Sequence, residues 1–200
     1  MINLNVIVTG FGPFANQKYN PTKAVLEALE NRVKDSTIYP IELPVIYDEC
    51  FTVLEDAVET YKPDLILLLG VAAKRDKINL ERVAINLKEA NIPDNLGIMF
   101  HDEPIIKHGE TAYFSTLDLK GDLRALENAQ IPTTISNTAG TFVCNNIFYL
   151  TMHYLDTHKL DIPAGFIHVP DIMASEEEET INIYTQMIYT IIENEQKKEG

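Results

Sequence analysis

The sequence predicts an α/β fold, a three-layer α/β/α sandwich with a twisted, mostly parallel central sheet. Three observations carry that reading. Strand-like and helix-like segments alternate along the 200 residues, the order that builds layered sheets with helical crossovers. The run Leu65-Ile66-Leu67-Leu68-Leu69 is apolar without a break, as expected of a strand covered on both faces. Apolar runs also end on glycine, at Gly10 and Gly70, where a strand hands over to a loop at the carboxyl edge, the edge at which such sheets bind ligands.

Taken in order, Leu4 to Val8 is a short, largely β-branched strand that runs into Gly10-Phe11-Gly12-Pro13-Phe14. Two glycines after a first strand raise the idea of a phosphate loop. The third glycine of the dinucleotide fingerprint is missing, however, as is the Gly-Lys-Ser/Thr of a P-loop. Phe11 and Phe14 on a stiff Gly/Pro loop suit either a core or the grip on a small flat ligand. Asn20-Pro21 reads as an N-cap with proline in the first helical turn, opening a helix to about Val33. Ile38 to Leu43 is a strand closed by Pro44. Tyr47 to Tyr61 is a helix with Cys50, Phe51, Leu54 and Val58 on one face, so Cys50 is read as a core filler.

Leu65 to Leu69 is the buried strand. Ile78 to Leu87 alternates polar and apolar residues, as a half-buried strand does, and sends Glu81 and Arg82 to opposite faces. Ile92-Pro93-Asp94-Asn95 is a turn. Tyr113 to Leu117 is a short strand, Leu119 to Asn128 a helix, and Pro132 to Ile135 another strand. Val143, Ile147, Leu150 and Tyr154 recur at helical spacing, predicting a helix from about Thr141 to Thr157 with Ser136, Asn137 and Thr138 as its capping stretch. Ala164 to Pro170 is the last strand, apolar on both sides of His168. Ser175 and Glu178 make a capping box for a final helix to about Glu193.

Composition narrows the function. Hydrophobic residues make up 46% and charged residues 23%, in the globular range, and the length suits one domain, residues 1–200. A formal charge of −14 argues against nucleic acid, since phosphate binding calls for clustered Lys and Arg. No basic leader or run of transmembrane length is visible, which argues against a membrane partner. With only Cys50 and Cys144, a disulfide framework is not expected and a reduced, cytoplasmic setting is. The histidines at 101, 108, 153 and 158 show no ligand spacing, so neither metal nor other cofactor is expected.

The stretch Ser136-Asn137-Thr138-Ala139-Gly140-Thr141-Phe142-Val143-Cys144-Asn145 is the one the chemistry turns on. It puts Cys144 in or near the first turn of a helix, where the dipole favours the thiolate and free N–H groups can cradle an oxyanion. Buried free cysteine is equally a common packing residue, and a lone histidine in an apolar strand is usually a hydrogen-bonded core residue. The residues by themselves leave both readings open.

These segments resemble the signature blocks of one family. Gly10-Phe11-Gly12-Pro13-Phe14 with Asn20-Pro21, Glu81-Arg82-Val83-Ala84-Ile85-Asn86, Ile92-Pro93-Asp94-Asn95, Ala112-Tyr113-Phe114-Ser115-Thr116-Leu117, the Cys144 stretch and Gly165-Phe166-Ile167-His168-Val169-Pro170 are similar, in order, to those of pyroglutamyl peptidase I, the pyrrolidone-carboxylate peptidases. The resemblance implies a cysteine peptidase that removes N-terminal pyroglutamate from peptides. It makes Cys144 the nucleophile, His168 the general base and then acid, and Glu81 the carboxylate that orients the imidazole, with Asp94 as rival. Phe11, Phe14, Phe142 and Val143 would surround the lactam ring, and Asn20 and the backbone near Gly70-Val71 would bond its polar atoms. It further implies peptide substrates with N-terminal pyroglutamate and a homo-oligomer, tetramer or dimer.

Two departures stand out against the resemblance. Where the family usually has Gly-Gln-Ala-Gly-Gly-Arg, this chain has Gly70-Val71-Ala72-Ala73-Lys74-Arg75, and Asn91 stands where arginine is common. They keep alive a diverged member that binds a capped peptide or lactam with little or no turnover. The glycine loop keeps alive a phosphate- or nucleoside-handling enzyme.

Overall fold

The computed structural model describes residues 3–14, 19–172 and 177–197. Its centre is a seven-stranded sheet in the order β2-β3-β1-β4-β9-β5-β8. Strands β1 (Leu4–Phe11), β3 (Ser36–Leu43), β4 (Leu65–Val71) and β9 (Ala164–Val169) run parallel. β5 (Ile78–Glu81) turns antiparallel to β9, and β8 (Thr133–Ser136) follows parallel to β5.

Alternation along the strands sorts their side chains into two cores. Ile7, Ile66, Leu68, Ala164 and Phe166 face α2 (Glu49–Tyr61) and α4 (Val143–Thr157). Val6, Val8, Leu67, Leu69 and Ile167 face α1 (Pro21–Ala28), α3 (Leu119–Asn128) and α5 (Glu177–Gln196). Leu65 to Leu69 are each at most 1% exposed, which is why that run shows no polar alternation. Cys50 packs in the first core as a filler.

Two elements differ from the sequence reading. α1 stops at Ala28, because Leu29 is extended and Arg32–Val33 fold back as β2 on the edge of β3. Lys34 takes a positive φ of 51° to make that turn. The alternating run 78–87 is two strands, β5 and β6 (Val83–Ile85), broken at Arg82. β6 leaves the main sheet to pair with β7 (Ala112–Phe114). The break has a cause in α4: the Asn145 side chain bonds both polar groups of Ile85, at 3.0 and 2.8 Å, and the Leu87 carbonyl at 3.1 Å. α5 is present as expected, while the capping serine Ser175 lies outside the described residues.

Candidate active site

Cys144 is the second residue of α4, and Phe142 is its N-cap without any side-chain cap among the described residues. The expected capping residues bond one another instead. Ser136 Oγ donates to the Thr138 carbonyl at 3.1 Å and accepts from Thr138 N–H at 3.3 Å, while Thr138 Oγ1 accepts from Gly140 N–H at 3.1 Å. Gly140, at φ 79°, completes this tight turn in a conformation other residues adopt with strain. The consequence is a helix whose first N–H groups carry no side-chain oxygen, and such groups form a natural anion cradle.

The sulfur rests on the sheet. A Cβ on Gly70 would lie 2.9 Å from Cys144 Sγ and 2.7 Å from Phe166 Cζ, so the thiol occupies space that only glycine leaves free. Gly70 is in register with His168 on the adjacent parallel strand, and in-register residues of parallel strands point to the same face. The thiol therefore lies over the strand next to His168, on the face of the sheet that His168 shares. His168 is 5% exposed, its ring 4.8 Å from that of Phe166. Its Nδ1 bonds Glu81 Oε1 at 2.7 Å. That bond leaves Nε2 as the nitrogen free to exchange a proton, the arrangement in which a base is oriented by a third group.

Glu81 is fully buried and its Oε1 also receives Arg75 Nη1 at 2.7 Å. Asp94, the rival carboxylate, lies elsewhere in the network. Its Oδ1 accepts the N–H groups of Leu96 and Ile98, both at 2.9 Å, and its Oδ2 that of Tyr47 at 3.2 Å. Asp94 thus ties the 94–98 turn to the entry of α2.

Burial is the largest influence on Cys144 and pushes its thiol up to about 12; the Glu81 charge adds to the rise, while its own backbone N–H and Arg75 oppose it. Desolvation thus outweighs the helix end, against the expectation of a favoured thiolate.

An aromatic wall stands next to it. Phe14 and Phe142 lie 5.2 Å apart, and Tyr47 meets Phe142 edge-on at 5.5 Å and Phe100 at 4.9 Å. Phe11 and Val143 are buried behind this wall in the α2/α4 core. Asn20 caps α1: its Oδ1 accepts Thr22 N–H at 3.0 Å and Thr22 Oγ1–H at 2.8 Å, and its Nδ2 bonds the Gly12 carbonyl at 3.0 Å. It shapes the Gly10–Phe14 loop. The Val71 side chain packs toward the opposite core, so only its backbone faces the cysteine side. Asn91 is exposed.

Sequence reasoning missed Arg75, Tyr47 and Lys88. The Tyr47 hydroxyl is buried with no hydrogen-bond partner among the described residues. Lys88, 7% exposed, sets Nζ 4.3 Å from the Phe100 ring centre and 3.3 Å from Asp48. No periodicity marks a loop arginine or a lysine stacked on an aromatic ring. No metal-binding cluster of His, Cys, Asp or Glu occurs among the described residues.

Comparison with known proteins points to one family. A family model described as pyroglutamyl peptidase matches residues 4–192. A pyrrolidone-carboxylate peptidase of Brachyspira hyodysenteriae is 41% identical over 169 residues, 84% of each chain. That of Pyrococcus furiosus is also 41% identical, over 170 residues, covering 84% of this chain and 82% of the other. Among solved structures, pyroglutamyl peptidase I from Bacillus amyloliquefaciens superposes with a TM-score of 0.91 at 33% identity, over 96% of this chain and 95% of that one. The P. furiosus pyrrolidone carboxyl peptidase gives 0.91 at 34% identity, over 98% and 99%. On its fold, its sequence and the match across nearly its whole length, this chain belongs to the pyroglutamyl peptidase family of cysteine peptidases.

Proposed function

We propose that this chain hydrolyses the amide bond after an N-terminal pyroglutamyl residue, with Cys144, His168 and Glu81 as its catalytic residues. The observation that carries the proposal is the Glu81–His168 bond of 2.7 Å beside a thiol seated on Gly70 at the N-terminus of α4. The Cys144 sulfur attacks the pyroglutamyl carbonyl carbon while His168 Nε2 takes the thiol proton, as the raised thiol requires. The carbonyl oxygen gains the negative charge, and the free N–H groups of the α4 first turn stabilise it. His168 then gives its proton to the departing amine as the C–N bond breaks, leaving a thioester. Water, deprotonated by the same imidazole, cleaves the thioester and restores the thiol.

Pyroglutamate carries no ammonium, so its ring suits flat apolar walls, here Phe14 and Phe142 with Phe11 and Val143 behind them. Hydrogen bonds to the lactam C=O and N–H come from backbone around Gly70 and Val71, with Asn20 acting through the loop it holds. A site built around such bonds disfavours a prolyl analogue by a factor on the order of ten thousand. Both cysteines are free, and a thiol nucleophile suits a reducing, cytoplasmic setting. We infer a homo-oligomer, tetramer or dimer, supported by the adjacent apolar side chains Ile92, Leu96, Ile98 and Met99, which are 42–59% exposed.

The test is release of a coumarin from pyroglutamyl-coumarin beside its prolyl analogue. Release from the first by the wild type, absent in Cys144→Ala and after iodoacetamide, is the expected result. A folded wild type that releases nothing would instead point to the diverged, non-turnover member, and release by Cys144→Ala would refute the cysteine mechanism.

A further inference from the structure

β4 and β5 are consecutive in sequence, but β9 lies between them in the sheet. The chain from Ala72 to Lys77 must therefore pass over the carboxyl end of β9, just beyond His168. Ala72 N–H bonds the Val169 carbonyl at 2.9 Å, and Arg75 N–H closes a turn onto the Ala72 carbonyl at 2.9 Å. This turn carries the Arg75 side chain inward, to 25% exposure. Its guanidinium forks: Nη1 donates to Glu81 Oε1 at 2.7 Å and Nη2 to the Thr138 carbonyl at 2.8 Å. Thr138 belongs to the turn that leads through Gly140 to the first turn of α4.

We propose that Arg75 is a positioning residue for the hydrolysis, one guanidinium that fixes the Glu81 carboxylate against His168 and ties both to the turn that delivers Cys144. The proposal rests on the Cys144, His168 and Glu81 reading above.

Two geometric facts support it. Glu81 Oε1 takes both donors while Oε2 is buried with no partner among the described residues, so the His168 and Arg75 bonds together set the rotation of the carboxylate. A planar guanidinium holds two acceptors at fixed separation, which the single-point ammonium of lysine does not. The groups of variable or fixed charge that bear on Glu81 are His168 from β9, Arg75 from the loop and Cys144 from α4. Arg82, its chain neighbour, donates instead to Asn137 Oδ1 at 2.9 Å.

The experiment measures kcat and KM for pyroglutamyl-coumarin across pH, on the full chain, for Arg75→Gln, Arg75→Lys and Glu81→Gln, with thermal melts of each. Arg75→Gln is expected to lower kcat about tenfold to a hundredfold, the scale of losing an outer partner that orients a functional group, with little change in KM. The acidic limb of its kcat/KM profile should move away from the wild-type position, because a fixed charge 2.7 Å from Glu81 is gone. Arg75→Lys should hold the limb near its wild-type position while kcat stays low, since charge is kept and the fork is lost. An Arg75→Gln enzyme with wild-type kcat and limb overturns the proposal, as does a loss of activity that follows the melting temperature while the limb stays in place. If Arg75→Gln does not fold, Arg75→Lys decides alone, and wild-type kcat in that variant overturns the clamp. Glu81→Gln separates the two layers: full activity there sinks the reading of the three catalytic residues, whereas loss there with unchanged Arg75 variants sinks only the role of Arg75.

Discussion

At the scale of single residues, the site depends on what is missing as well as on what is present. Gly70→Ala adds a methyl that meets Cys144 Sγ at 2.9 Å and the enclosed Phe166 ring at 2.7 Å. Its expected effects are a stability loss of about 1–3 kcal/mol, read from urea unfolding, and a fall in kcat, since the methyl and the sulfur compete for the same space. The two candidate carboxylates make opposite predictions. Asp94→Asn keeps an acceptor for Leu96 and Ile98 and should retain the pH-rate profile, whereas Glu81→Gln should lose most turnover and alter that profile. Loss in Asp94→Asn with Glu81→Gln left active would reverse the assignment. Cys144 and His168 were singled out by the family resemblance, since the residues by themselves left a packing reading open for each. Arg75 was not, because its partners Glu81 and Thr138 are 6 and 63 residues away, and only the sheet order brings them together.

At the scale of elements, α4 governs the site by what its first turn leaves unbonded and by what Asn145 binds. The helix itself followed from its apolar periodicity. Its capping did not, because Ser136 and Thr138 bond within their own turn and never reach the helix. Likewise, the run 78–87 has the alternation of one strand, yet Asn145 draws Ile85 and Leu87 away from the sheet. Asn145→Ala strands one N–H and two carbonyls in a half-buried setting. It should lower the unfolding free energy by about 1–3 kcal/mol, measured by denaturant titration, with the protection of the β6–β7 amides against hydrogen exchange falling most. An unchanged midpoint would mean that β6 is held by β7 alone. The short helix α1 shows the same limit of local reading: its Asn20-Pro21 start was plain, while its end at Ala28 depends on the hairpin that β2 makes with β3.

At the scale of the molecule, enclosed acids shape the response to alkali. Burial pushes the thiols of Cys50 and Cys144 up to about 12 from an ordinary 9.0, and the phenols of Tyr149, Tyr154 and Tyr184 to about 12 from 10.0. In each case the folded state holds its proton more tightly than the unfolded chain. The stability they contribute is complete below about pH 9 and is lost as pH rises from there toward 12. Thermal melts at pH 8, 9 and 10, at roughly constant ionic strength, should show a falling midpoint, and Cys50→Ala should flatten that fall. The layered architecture itself was readable from the alternation of segments and from Leu65–Leu69. The reversal of β5 and β8 was not, since strand direction leaves no mark on composition. That reversal, with β9 set between β4 and β5, has a consequence for biosynthesis. On the ribosome, the carboxylate emerges 87 residues before the imidazole it bonds, and the two halves of the sheet stay unjoined until the ninth strand slides between them. With the catalytic residues as proposed, a nascent or truncated chain lacking that strand carries a nucleophile with no base, so proteolytic power arrives only with completion of the fold.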